Sequence, residues 1–148
     1  MSSTHSSLHV HLVFGTKERV PWITQDLIVD FHAYIGGCAK GGGSLPLAVG
    51  GVADHVHILL GMGTSQSVAN IVRDLKRESS KWMKSRRSME PFAWQEGYGA
   101  FSVGPIALEE VKQYICRQEE HHRERSFMEE YRMMLEKAGV KYDPKYLE

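Results

Sequence analysis

His55-Val56-His57 sets two imidazoles two residues apart inside the short apolar run Val52-Ala53-Asp54-His55-Val56-His57-Ile58-Leu59-Leu60-Gly61, with glycines at both ends. A run of that length between Gly50-Gly51 and Gly61-Met62-Gly63 predicts a central β-strand. Side chains two apart on a strand share a face. His55 and His57 would therefore point one way, and Asp54, Val56, Ile58 and Leu60 the other. Two imidazoles at a spacing fixed by the backbone supply half of a divalent-metal site. The spacing alone reads equally well as two histidines on the wetter face of a sheet.

A catalytic ion needs at least one further protein ligand and open positions for substrate oxygens. The predicted helix from Leu108 to Arg125 can offer that ligand, because Tyr114, Gln118 and His121 fall on one stripe. Val111, Ile115 and His122 form a neighbouring stripe suited to packing. Taken alone, Tyr114 is an amphipathic residue of the kind that packs at half-buried helix positions. Glu119, Glu120, His121, His122 and Arg123 alone read as a solvated helix end.

The elements that must position these residues follow from periodicity. Strands are expected over Leu8 to Gly15, Ser44 to Val49, Val52 to Gly61 and Tyr98 to Val103. Helices are expected over Gln25 to Cys38, with Thr24 as cap and the Gly41-Gly42-Gly43 run as terminator, and over Ser65 to Arg87. After Pro105 come the helix Leu108 to Arg125 and a shorter one, Phe127 to Ala138. The order β, α, β, β, α, β predicts an α+β fold, the ferredoxin-like (RRM-like) split βαβ sheet. Its first and third strands would be antiparallel central neighbours, with helices on one face and C-terminal helices added. Val10, Leu12 and Phe14 match Val56, Ile58 and Leu60 as the helix-covered face, so His9 and His11 should share the open face with His55 and His57.

The 148 residues suit one domain, expected as a core over about 8–125 and a C-terminal helix and tail over 126–148. No apolar run approaches the roughly 20 residues that span a bilayer, and no signal-peptide pattern is present, so a cytoplasmic location and no membrane partner are expected. Cys38 and Cys116 stand in no metal-binding spacing. Lys plus Arg equals Asp plus Glu at 18 each. Nucleic-acid binding must therefore be argued from where charge sits. Arg73, Lys76, Arg77, Lys81, Lys84, Arg86 and Arg87 line one predicted helix and can grip a phosphate backbone. Trp82, Trp94 and Tyr98 can stack on unpaired bases.

Put together, His55-Val56-His57 and Tyr114-Ile115-Cys116-Arg117-Gln118 resemble the single-tyrosine HUH transposases of small insertion sequences that move as single-stranded DNA, and their relatives associated with repetitive extragenic palindromes. Phe14-Gly15-Thr16-Lys17, Asp54-His55-Val56-His57-Ile58-Leu59 and Trp94-Gln95-Glu96-Gly97-Tyr98-Gly99-Ala100-Phe101-Ser102-Val103 extend the likeness in order, from about Ser3 to Arg123. The resemblance implies that Tyr114 is the nucleophile and that His55, His57 and Gln118 ligate Mg²⁺ or Mn²⁺, with no small-molecule cofactor. Tyrosine attack on a DNA phosphate would leave a 5′-phosphotyrosine and a free 3′-OH, and the same site would rejoin strands.

It further implies hairpin-bearing single-stranded DNA as partner, and a homodimer whose tyrosine helices reach the metal site of the other subunit. Gly97, Gly99, Gly104 and Pro105 precede that helix and can redirect it. His9, His11 and His121 remain candidates for contacts behind the ligands or to DNA. The competing readings are a replication or mobilisation relaxase of the same class and a non-catalytic RRM-like nucleic-acid-binding module.

Overall fold

The computed structural model describes residues 3–87, 90–122 and 125–147, apart from the side chains of His121 and Tyr146. Four antiparallel strands make one sheet in the order β2-β3-β1-β4: β1 His9–Gly15, β2 Leu45–Val52, β3 His55–Gly61 and β4 Gly99–Ser102. The two central strands are β1 and β3, as the split βαβ order requires. β2 runs further than expected, to Val52, and Ala53-Asp54 forms a two-residue turn into β3. Asp54 is therefore a turn residue rather than a core-facing strand residue.

Strand alternation sorts the sheet's two faces. Val10, Leu12, Phe14, Val56, Ile58 and Leu60 pack against α1 (Ile28–Gly41) and α2 (Val68–Arg86) in the main core. α1 starts after a turn in which Leu27 and Ile28 donate to the Thr24 carbonyl, and it ends where Gly43 takes φ 96°, a conformation that favours glycine. Ser67 caps α2 by accepting from the Asn70 amide at 3.1 Å. Trp94 lies in this core, 8% exposed, with its indole N–H donating to Ser79, and Trp82 packs on Phe31 and Tyr34. Trp94 is therefore not a free surface for stacking on bases, and Trp82 is half-buried against the core. Tyr98 is exposed.

The opposite face carries His11, Val13, His55, His57 and Leu59, and it is covered as well. α3 (Leu108–Cys116) packs Ile115 against Leu59 and Val103, while α5 (Phe127–Lys137) packs Phe127, Tyr131 and Leu135 against Val13. Burying Ile115 completely contributes about 1.5–3 kcal/mol to that docking. Two glycines admit the helices. A Cβ at Gly50 would stand 2.3 Å from the Ile115 carbonyl oxygen, and one at Gly99 would stand 2.7 Å from the Tyr131 ring. The expected helix Leu108 to Arg125 is two pieces: Arg117, at φ −106° and ψ 24°, separates α3 from the single turn α4 (Gln118–His121).

Candidate active site

β3 presents His55 and His57 side by side, their rings 5.1 Å apart and both wholly buried. Each is held from behind through Nδ1. His55 Nδ1–H donates to Asp54 Oδ1 at 2.8 Å, and His57 Nδ1 lies 2.8 Å from His11 Nε2. Partners at Nδ1 orient an imidazole and direct Nε2 outward, which is how ligand histidines are commonly braced. Both Nε2 atoms face the same small volume under α3, α4 and α5.

The break at Arg117 aims that volume's other walls. Gln118 and His122 lie one turn apart across α4, and Gln118 Oε1 sits 3.1 Å from both His55 Nε2 and His122 Nε2. His122 Nδ1–H donates to the Arg125 carbonyl at 2.7 Å, which turns its Nε2 inward. From α3, one turn earlier, the Tyr114 ring lies 5.7 Å from the His57 ring.

The remaining wall comes from α5. Ser126 caps it by accepting from the Glu129 amide, Phe127 stacks on His55 at 4.3 Å and on Tyr131 at 5.6 Å, and Glu130 enters the site 5% exposed. Glu130 Oε1 lies 2.9 Å from His57 Nε2, 3.2 Å from His122 Nε2 and 3.5 Å from His55 Nε2. Its Oε2 accepts from the Tyr114 hydroxyl.

The cluster polarises its members. Burial alone would lower the His55 pKa, but hydrogen bonds to Asp54, Glu130 and Gln118 outweigh it and hold the group at about 9. His57 goes the other way, to about 4, through burial and the charge on His55. Burial and His57 take His11 down to about 3. Burial would raise Glu130, yet hydrogen bonds from His122, His55 and His57 bring it far below the usual carboxylate range. Tyr114 is raised by burial and by the Glu130 carboxylate, so its phenol keeps its proton. The site thus sets three imidazoles, an amide and a carboxylate around one centre.

That donor set suits a divalent cation. One ligand atom each from His55, His122 and Glu130 all lie within 4.8 Å of one another, so this group could hold a metal ion. Of the residues expected from sequence, His55, His57, Gln118 and Tyr114 meet here, and His11 braces His57. His9 does not join them, because it pairs with Gly61 at the far end of β1 while His55 pairs with Gly15. The His121 side chain lies outside the described residues. Glu130 and His122 were not expected: His122 sat on the packing stripe of an unbroken helix, and nothing in its local sequence marks Glu130.

The basic helix lies across the sheet from this site. Arg73, Arg77 and Lys81 pair with Asp74 or Glu78 on α2 itself, and Arg87 bonds to Thr24 and Glu90. Lys76 is turned inward, where Nζ donates to the carbonyls of Gln95, Glu96 and Gly97. Those three hydrogen bonds fasten Lys76 to the loop, and burial lowers it to about 8. Lys84 and Arg86 stay exposed, Arg86 over the Trp82 ring.

Comparison with known proteins places this geometry. The fold matches a crystal structure from Deinococcus radiodurans R1, provisionally assigned as a transposase, with TM-score 0.64 and 24% identity over 80% of this chain and 98% of that one. It also matches the REP-associated tyrosine transposase bound to a REP hairpin, with TM-score 0.60 and 11% identity over 82% of this chain and 74% of that one. No curated protein gives a significant match. Residues 4–118, which run from before β1 to Gln118, match the family model described as "Transposase IS200 like", and the chain belongs to that transposase family.

Proposed function

We propose that the chain is a metal-dependent single-stranded DNA transposase in which Tyr114 is the nucleophile. The observation that carries this reading is the convergence of Tyr114 and Gln118 on the His55 and His57 pair, from a separate element and across a helix break. His55, His57 and Gln118 would hold Mg²⁺ or Mn²⁺, with Glu130 and His122 completing the donor set. When bound, the ion supplies charge stabilisation at the scissile phosphate and at the departing 3′ oxygen.

The chain's own residues do the rest. α3 holds the Tyr114 oxygen beside that position; its bond to phosphorus forms as the bond to the 3′ oxygen breaks, leaving a 5′-phosphotyrosine and a free 3′-OH. The ester bond is conserved, so attack by a 3′-OH on the phosphotyrosine reverses the step and rejoins strands. Asp54 and His11 keep the ligand imidazoles aimed. Hairpin DNA as substrate is supported by the similar transposase bound to a REP hairpin. A binding module of the RRM kind needs an open sheet face with aromatics for bases; here that face carries imidazoles under α3 and α5.

The decisive experiment incubates the protein with single-stranded hairpin DNA and Mn²⁺ and seeks a covalent adduct on denaturing gels. An adduct from the wild type and none from Tyr114→Phe supports the reading; no wild-type adduct defeats it. Within one chain α3 already closes its own site, which supports assembly in cis, whereas the family resemblance implies a homodimer with tyrosine helices exchanged. Mixing His57→Ala with Tyr114→Phe separates the two. Cis assembly leaves every site defective, and a mixed dimer that regains cleavage establishes exchange.

A further inference from the structure

We propose that Glu130 is a catalytic residue of the strand-transfer step, orienting the Tyr114 phenol and taking its proton through Oε2 while Oε1 faces the nitrogens that would hold the ion. The inference rests on the transposase reading above and goes beyond it, since Glu130 lies outside the segment, residues 4–118, that matches the family.

The geometry argues for a working group rather than a strut. A buried carboxylate is costly unless each oxygen is matched. Here one oxygen meets the three Nε2 atoms of His55, His57 and His122, and the other accepts the hydrogen of the nucleophile. A single side chain therefore spans the nucleophile and the ligand nitrogens. It is also rigidly placed: the Ser126 cap, the Phe127 stack on His55 and the Tyr131 ring against Gly99 fix the α5 turn on which Glu130 stands.

The chemistry needs such a group. A half-buried phenol that becomes a phosphate ester must give up its proton, and the Glu130 carboxylate is its hydrogen-bonded acceptor. In the forward step the Tyr114 oxygen–phosphorus bond forms, the phenol proton moves to Glu130 Oε2, and the phosphorus–O3′ bond breaks with its electron pair on O3′, which takes a proton from solvent as Glu130 gives its own up to solvent, so that no hydroxide is left and the carboxylate is restored. In the reverse step the attacking 3′-OH releases its proton to solvent, and Glu130 takes one up and passes it to the leaving tyrosine. Gln118 cannot substitute, because its oxygen is directed to His55 and His122.

The test measures two quantities on Glu130→Gln: Mn²⁺ affinity of the protein alone, by electron paramagnetic resonance, and the single-turnover rate of adduct formation on hairpin DNA at rising Mn²⁺. Affinity should fall roughly 10–100-fold, and at saturating Mn²⁺ the rate should remain about 10²–10⁴-fold below wild type. A rate restored to wild type by Mn²⁺ saturation overturns the proton-accepting role. A rate above wild type also overturns it, by showing that Glu130 obstructs the site. Circular dichroism checks folding. Should Glu130→Gln not fold, Glu130→Asp, which withdraws the carboxylate by one methylene, must slow adduct formation at least about tenfold, and a wild-type rate there refutes the proposal. A wild type that forms no adduct defeats the transposase reading itself and this step with it, whereas a wild-type adduct with an unimpaired Glu130→Gln defeats this step alone.

Discussion

Gly50→Ala should disable the site without touching any residue in it. Gly50 pairs with His57 across β2 and β3, and α3 lies over it so closely that a new Cβ would stand 2.3 Å from the Ile115 carbonyl oxygen and 2.9 Å from Ile115 Cγ2. The nearer atom is backbone, so no rotamer change relieves it. Reaching ordinary contact at 3.4 Å requires α3 to withdraw by 3.4 − 2.3, about 1.1 Å. Overpacking of this kind costs about 1–3 kcal/mol, and for a chain of this size that lowers the melting temperature by about 2–12 °C. Typical stabilities are about 5–15 kcal/mol, so the variant stays folded at 25 °C. Catalysis should suffer more: Tyr114 and Gln118 move with Ile115, and a displacement near 1 Å costs about 10²-fold in rate. Thermal melting and single-turnover adduct formation measure the two effects. Gly37→Ala, at a helical position where a Cβ meets nothing within 4 Å, is the control and should raise stability by about 0.5–1 kcal/mol. A Gly50→Ala protein that melts and reacts like the wild type would show that α3 does not sit over Gly50 in the working enzyme.

The other expectations concern individual side chains. Tyr114→Phe should bind hairpin DNA as the wild type does yet give no adduct on denaturing gels. His57→Ala should lose cleavage and Mn²⁺ binding measured by calorimetry, His11→Ala should weaken Mn²⁺ binding roughly 10–100-fold because it braces His57, and His9→Ala should change neither. His32, lowered to about 4 by burial and then by the charge on His55, is neutral in the fold at pH values where the unfolded chain, titrating near 6.5, is already protonated. Its contribution to stability is therefore complete above pH 6.5 and is lost as pH falls from there toward 4, on the order of 1 kcal/mol between pH 7.5 and 5.5; melting curves of His32→Gln should lack that share of the decline.

The topology was legible because it rests on alternation. Val10, Leu12, Phe14 and Val56, Ile58, Leu60 announce one buried face by period two, and once the two strands are paired, His11 and His57 must share the other. His9 obeyed the same rule of face but not of position: alternation assigns a side, whereas register assigns a place along the strand, and antiparallel pairing sends His9 to the end opposite His55. The helix Leu108 to Arg125 failed for a related reason. No glycine or proline marks Arg117 as a break, so periodicity carried through it, and His122 was assigned to packing because an unbroken helix would have turned it there.

Glu130 was illegible for a deeper reason. In sequence it is one of several glutamates on an amphipathic helix, and a carboxylate on such a helix reads as solvated. What makes it a site residue is the docking of α5, which depends on contacts that no local window contains: Phe127 on His55, and Tyr131 over the space left by Gly99. Those same contacts bury the site, leaving His55, His57, Gln118 and Glu130 between 0 and 5% exposed. Tyr131→Ala, which loosens the seat of α5 over Gly99, should therefore slow adduct formation on denaturing gels by misplacing Glu130, whereas a helix that merely covered the site would react faster once loosened.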